Sequence, residues 1–374
     1  MENQSSPRSP LILSPWHKIQ AAMLYYFSSV EYLDPLHTMV NNILNDVADP
    51  ALNLAKTQGR DQRLTSKNWG ARDTSQNWSN NAWPFFKDLQ KSLAQDIASR
   101  RNGEYRKTAV NDCLRGIDEY STAWMTQQEE QKLKKIMENI SDYALPHDHT
   151  LDSYQNWWDD YEFFSYFKIF AAKNPTIPKF RVRQDISIST GEVPTKTGVY
   201  LANNDPHAAL QFIWTEPKGA CLRAAKTFND IGLAALREIG RNDLWADETK
   251  MFNFAMSEKH ASLFKPLIMV GGQYWTSAAP AIVASEAFQT VSRNWSLLEI
   301  IPGEKEQLGA LELLDTSLKY AAQPAQGGSL CLLDGFYFTP ALELSRRHFR
   351  KGDKFPDSKS TFGETHWQWD INQK

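Results

Sequence analysis

The apolar positions of this chain change period near residue 175, and that change divides it into two parts. Before it they recur every three or four residues, the repeat of a helical face. Ser14 can cap a helix and Pro15 suits its first position, after which Trp16, Ile19, Met23, Tyr26, Phe27 and Val30 form one stripe. Asp34-Pro35 predicts a second start, with Leu36, Met39, Val40, Ile43, Leu44 and Val47 inward. Asp49-Pro50 predicts its end, because the residue before proline is pushed out of helical geometry. Residues 56–80 are polar and hold Trp69 and Trp78 without a period, which predicts a long loop whose tryptophans fold back on the bundle. Helical spacing returns at Pro84–Ile97 and at Val110–Trp124. Thr126 and Glu129 then form a capping box ahead of Leu133, Ile136, Met137 and Ile140. Residues 147–152 follow Pro146 and predict a polar loop. A last helix, from about Ser153 to Ala172, carries aromatics on every side and predicts burial on more than one face.

Beyond Asn174-Pro175 the period falls to two, with Phe180, Val182, Ile186 and Ile188 alternating with polar residues. Two short apolar runs flank Asn203-Asn204-Asp205-Pro206, a hairpin signal, since Asn and Asp tolerate left-handed backbone. In the second run Leu210, Phe212 and Trp214 alternate with Ala209, Gln211 and Ile213. Thr227 or Asn229 caps the helix that follows, and Gly240 closes it in left-handed conformation. Helices are expected at about 246–260 and 304–321. Strands are expected at Leu267–Val270, Leu297–Ile301, Leu330–Leu333 and Phe336–Thr339. Gly198-Val199-Tyr200 and Gly335-Phe336-Tyr337 read as two copies of one glycine-aromatic strand. The fold class is α+β: a helical bundle over 1–175 packed as one body on a mixed part, 176–374, with short antiparallel strands.

Composition narrows the function. The 374 residues are 41% hydrophobic and 23% charged with a net charge of -3, a globular balance that disfavours nucleic-acid binding through bulk electrostatics. No apolar run approaches the roughly 20 residues of a membrane span. No basic region precedes an apolar stretch at the N-terminus, so no secretion signal is expected. Cys113, Cys221 and Cys331 are three, far apart and in apolar contexts, which points to buried reduced thiols and a cytoplasmic location.

Candidate chemistry is sparse. His147-x-His149 with Asp148 and Asp152 has zinc-ligand residue types, yet no second histidine pair joins it, and a polar loop explains it better. Asp159, Asp160 and Glu162 supply the paired acids of glycoside hydrolysis, but neighbouring acids on a helix point apart. Gly271-Gly272 and Gly327-Gly328 lack a phosphate-loop pattern and read as turns. Neither catalytic residues, a metal nor a cofactor is assigned.

Thr197-Gly198-Val199-Tyr200-Leu201 with Gln211–Trp214, then Thr227-Phe228-Asn229-Asp230 with Gly240–Trp245, form two of three recurring blocks. The third is Gly335–Ala341, Ser345-Arg346-Arg347 and Trp367-Gln368-Trp369-Asp370. Together they resemble bacterial polymorphic-toxin immunity proteins, the antitoxins encoded beside secreted, often type VI-delivered, effectors. The chain departs from that pattern at Cys331-Leu332, where a Cys-Pro pair is expected. The resemblance implies a stoichiometric inhibitor that binds a cognate toxin domain in the cytoplasm and blocks its active site. The alternative is a cytoplasmic hydrolase using the acidic helix or the His147–Asp152 loop. For the inhibitor, Asp148, Asp152, Asp159 and Asp160, with Trp78, are the expected toxin-contacting residues, since acids suit a toxin site built to bind anions.

Overall fold

The computed structural model describes residues 13–215, 219–270, 272–310, 325–331, 335–339, 345–350, 352–357 and 365–369. Eight helices come first: α1 (Pro15–Phe27), α2 (Val30–Ile43), α3 (Asp49–Thr57), α4 (Ser75–Asn81), α5 (Trp83–Arg101), α6 (Val110–Asp118), α7 (Gln127–Thr150) and α8 (Asp160–Lys173). Ser14 caps α1 through the His17 amide, as its position predicts. The two Asp-Pro pairs do not break the chain as expected. The Ser29 hydroxyl accepts from the Tyr32 amide and starts α2 five residues early, leaving Pro35 inside the helix. A π turn, Leu44–Ala48, then carries α2 into α3 and widens the hydrogen-bond ladder just before Pro50, which brings no N–H.

Residues 56–80 are not a loop throughout. Asp61 accepts from the Ser75 amide and hydroxyl and from the Gln76 amide, tying a short 3-10 turn, Arg60–Arg63, to the start of α4. That helix inserts Trp78 against Phe86 and Trp124, while Trp69 stays 70% exposed. The capping box at Thr126 and Glu129 is formed as predicted. The α7 helix then runs through Pro146 to Thr150, so His147 and His149 lie on a helix and not in a loop. The aromatic helix begins only at Asp160, where the Asp159 side chain caps it through the Glu162 amide.

Twelve strands are described. The main sheet has the order β1 (Thr176–Ser189), β8 (Asn294–Gln307), β2 (Gly198–Ala202), β3 (Gln211–Ile213), all antiparallel. The hairpin at Asn203–Pro206 joins β2 to β3, and Asn204 takes the left-handed φ of 60°. Both faces of β2 and β3 are buried, so a two-sided alternation at 209–214 is absent. Gly198 is required by close approach: a Cβ there would lie 2.8 Å from Leu297 Cδ1 and 2.9 Å from Tyr25 Oη. β8 extends to Gln307, replacing the start of the helix expected at 304–321, whose remainder beyond 310 lies outside the described residues.

Between β3 and β8 stand β4 (Ala225–Phe228), α9 (Asp230–Ile239), α10 (Glu248–Ala255), α11 (Ala261–Ile268), the ribbon β5 (Met269–Val270) and β6 (Gln273–Tyr274), α12 (Ala279–Glu286) and β7 (Phe288–Val291). β4 pairs with β7. Asn229, not Thr227, caps α9. Gly240 ends it at φ +87°, ψ 153°, a positive-φ conformation but extended rather than left-handed helical. Four strands among the described residues after 324 form a second sheet in the order β11 (Arg347–Phe349), β10 (Gly335–Phe338), β12 (His366–Trp369), β9 (Ala325–Gln326). Both glycine-aromatic strands, β2 and β10, sit in the interior of their sheets. Of the strand expected at Leu330–Leu333, Leu330 forms only an isolated bridge to Lys354, and 332–333 lie outside the described residues.

Four groups of buried apolar side chains result. The first joins α1 and α8 to β1, β2, β3 and β8, so residue 175 marks a change of secondary structure and not a break in the core. The second fills the bundle of α2–α7, the third lies among α9–α12, and the fourth gathers Cys331, Tyr337, Phe349, Phe355 and Trp367. One polar centre links the first and third. Asp160 is buried at the head of α8 and its two oxygens receive four donors. Trp16 Nε1 donates at 2.8 Å, Trp245 Nε1 at 2.7 Å, and Arg241 at 2.8 and 2.5 Å. The Arg241 guanidinium also lies 5.0 Å over the Trp16 ring.

Two stability measurements check this architecture. Asp160→Asn leaves Arg241 without its anion and should cost about 3 kcal/mol in urea unfolding; a loss below about 1 kcal/mol contradicts the linking role. A Cβ at Gly232 would lie 2.3 Å from the Ala287 carbonyl oxygen, so Gly232→Ala should destabilise by about 2–3 kcal/mol through overpacking, although alanine favours helix.

Candidate interaction surface

The residues expected to meet a toxin are mostly committed inside the fold. Trp78 is 0% exposed, and Asp160 is the buried centre described above. Neither has a surface to offer, which corrects their expected role: the partners that make them useful to the fold also enclose them. Asp148 accepts from the Thr108 amide at 2.7 Å and hydroxyl at 2.8 Å. Burial outweighs those bonds and raises its carboxyl to about 6. Asp159 caps α8 and faces Lys226 Nζ at 3.4 Å; burial raises its carboxyl against both.

Asp152 organises a loop. Its oxygens accept from the Tyr154 and Gln155 amides, Trp157 Nε1 and Lys107 Nζ at 2.8–3.2 Å. Burial alone would raise this carboxyl, but the four donors hold it near 2. The Trp157 ring stacks on His149 at 4.3 Å, and Tyr154 projects 79% exposed from the same clamp. The histidine pair that suggested a metal site is divided. His149 faces Glu162 at 3.3 Å, whereas His147 is fully enclosed and donates from Nδ1 to the Phe27 carbonyl at 2.7 Å. Among the described residues no three His, Cys, Asp or Glu side chains converge to hold a metal ion. Cys113 and Cys331 are buried thiols, but Cys221 is half-buried.

A second surface carried no signal recognised in the sequence. α11 buries Phe264 and Ile268 in the third core and turns Leu263 and Leu267, four residues apart, to solvent. The β5–β6 ribbon follows directly, with Met269 paired across to Tyr274 and Gly272 at φ +83° in the turn. The Trp275 amide bonds back to the Ile268 carbonyl at 3.0 Å, and Phe252 meets the Tyr274 ring edge-on at 5.7 Å. Leu263, Leu267, Met269, Tyr274 and Trp275 are all exposed, the last at 55%. Thirteen large hydrophobic side chains are exposed among the described residues, and these five fall within one thirteen-residue stretch, 263–275. Such clustering marks interaction surfaces, whereas isolated exposed apolar residues do not. Two features could have signalled the ridge: the apolar residues of Leu263–Val270, interrupted by the single charge of Lys265, and a Tyr-Trp pair after a Gly-Gly turn. The sequence expectation of a plain strand at Leu267–Val270 concealed both.

No protein family, curated protein or solved structure matches the chain.

The enclosed histidine gives a pH test. Burial lowers His147 from 6.5 to about 4, so the folded state keeps it neutral while the unfolded chain takes up a proton below 6.5. Its stabilising contribution is therefore complete above pH 6.5 and fades as the pH falls toward 4. The stability advantage of the wild type over His147→Asn, which retains a donor for the Phe27 carbonyl, should shrink by about 3 kcal/mol between pH 7.5 and 4. An advantage independent of pH would show that His147 titrates alike in both states.

Proposed function

We propose that this chain is an immunity protein that neutralises a cognate toxin by docking on it in the cytoplasm. The observation that carries the reading is the ridge of Leu263, Leu267, Met269, Tyr274 and Trp275, in which aromatic side chains stand exposed on a backbone fixed by hydrogen bonds. Hot spots of protein interfaces are enriched in Trp and Tyr because these side chains desolvate a large rigid area with few rotamers to freeze. The resemblance of the Thr197–Trp245 and Gly335–Asp370 blocks to polymorphic-toxin immunity proteins supplies the kind of partner. Inhibition of this kind requires a complementary surface that covers the toxin's active site or substrate entry. The Tyr154–Trp157 loop, made rigid by Asp152, offers a second preorganised epitope.

The test uses the C-terminal domain of the toxin encoded in the neighbouring reading frame, titrated calorimetrically with the full chain. Tyr274→Ala combined with Trp275→Ala should weaken binding at least about 30-fold, equivalent to a little over 2 kcal/mol, with the melting temperature unchanged to within about 2 °C. Unchanged affinity in a folded double variant removes the ridge from the interface. Lack of any complex at micromolar wild-type protein overturns the immunity reading itself.

A further inference from the structure

Away from this ridge, at one end of the main sheet, lies an open groove of about 920 Å³, within the size range of small-molecule sites. It forms where β1 leaves regular pairing with β8. Four residues advance in β1, from Arg183 to Ser187, while one advances in β8, from Leu297 to Ser296. The bulge spreads the strands and the Asn203–Asn204 turn closes the end. Nine of its ten lining side chains are Ser, Thr, Asn or Gln. The tenth, Arg293, is already paired: its Nε and Nη2 donate to Asp205 Oδ2 at 3.2 and 2.9 Å.

The lining is ordered from within. Ser296 Oγ donates to Asn203 Oδ1 at 2.9 Å and Ser189 Oγ donates to Asn294 Oδ1 at 3.2 Å. Each amide thus has its oxygen engaged by the protein, which leaves its NH₂ group as the donor for a ligand. The Asn203 backbone N–H donates to the Asn294 backbone carbonyl at 2.7 Å, which sets the two residues opposite one another. Thr190 Oγ1 secures the floor by accepting from Trp295 Nε1 at 3.1 Å and from the Arg293 amide at 3.0 Å. Ser187 and Ser292 at the rim are exposed hydroxyls.

We propose that this groove binds a neutral polyhydroxylated ligand, a short oligosaccharide segment. Side chains that both donate and accept match hydroxyl groups, which do the same, whereas an anion would need an uncompensated cation. Extended peptides gain specificity from apolar pockets for alternate side chains, and no aliphatic or aromatic residue is among those lining this groove. The same lack of a stacking surface implies weak binding, in the millimolar range. The proposal is independent of toxin neutralisation.

Saturation-transfer NMR on the full chain tests it with four proton-bearing probes at low-millimolar concentration: maltotriose, chitotriose, the peptide Gly-Ser-Asn-Ser-Gly and methyl phosphate. At least one oligosaccharide should show transfer, reduced tenfold or more in Asn203→Ala/Asn294→Ala. Because that variant also removes internal hydrogen bonds, Ser187→Trp serves as a second block: it fills the groove from an exposed position and should abolish transfer with thermal unfolding unchanged. The proposal fails if neither oligosaccharide binds, if transfer survives Ser187→Trp, or if only the peptide or phosphate responds.

Discussion

The carboxylate of Asp160 is the interaction on which the arrangement of helices and sheet depends. A buried charge is costly unless its lone pairs are filled and an opposite charge lies close. Here two indoles and a guanidinium fill them, and they come from two places far apart in the chain: Trp16 in α1, and Arg241 with Trp245 in the connection between α9 and α10. Trp245 adopts a φ of +68°, a left-handed conformation unfavourable for a bulky residue. Its bond to Asp160 and its contacts with Tyr161, Phe228 and Phe288 hold it there. The α9–α12 group is thereby locked to the same helix that closes the first core.

The other acids repeat this behaviour on a smaller scale. Asp61 ties a 3-10 turn to α4, Asp152 rigidifies a loop, and Asp205 joins Thr227 to Arg293 beside the hairpin. Each accepts from several donors at a point where backbone amides are otherwise unpaired, and a carboxylate is well suited to that task because it offers up to four acceptor positions. Aspartates in irregular segments of this chain are therefore fasteners of loops before they are surface charges. What the loops present to solvent is aromatic instead: Tyr154 beside Trp157, and Tyr274 beside Trp275.

That division suits an inhibitor that works by docking. Preorganised aromatic side chains lose little conformational entropy on binding, and acids spent inside the fold need not be desolvated at the interface. The ridge on α11 and the β5–β6 ribbon stands over the third core, which supports it through Phe264 and Ile268. A rigid inner face and an exposed apolar outer face on one short helix are what a binding element requires, and either alone would be unremarked.

Local sequence determined much of the fold. The Ser14, Thr126 and Asn229 caps, the Asn203–Pro206 hairpin, the change of period at residue 175 and the α+β class all follow from contacts within a few residues. Local rules failed where distant partners overrode them. Pro35 and Pro146 sit inside helices because packing on both sides outweighs one missing hydrogen bond. β8 displaced an expected helix start because ten of its fourteen residues, Lys305–Gln307 among them, pair with β1. The expected contact residues divided for the same reason. Whether an aspartate or tryptophan faces solvent depends on what returns to it from elsewhere in the chain: Trp16, Arg241 and Trp245 enclose Asp160, and Phe86 and Trp124 enclose Trp78. The sequence by itself determined which residues could bond or stack; only the tertiary structure decided which had already done so internally, because burial is set by long-range packing that no local spacing encodes.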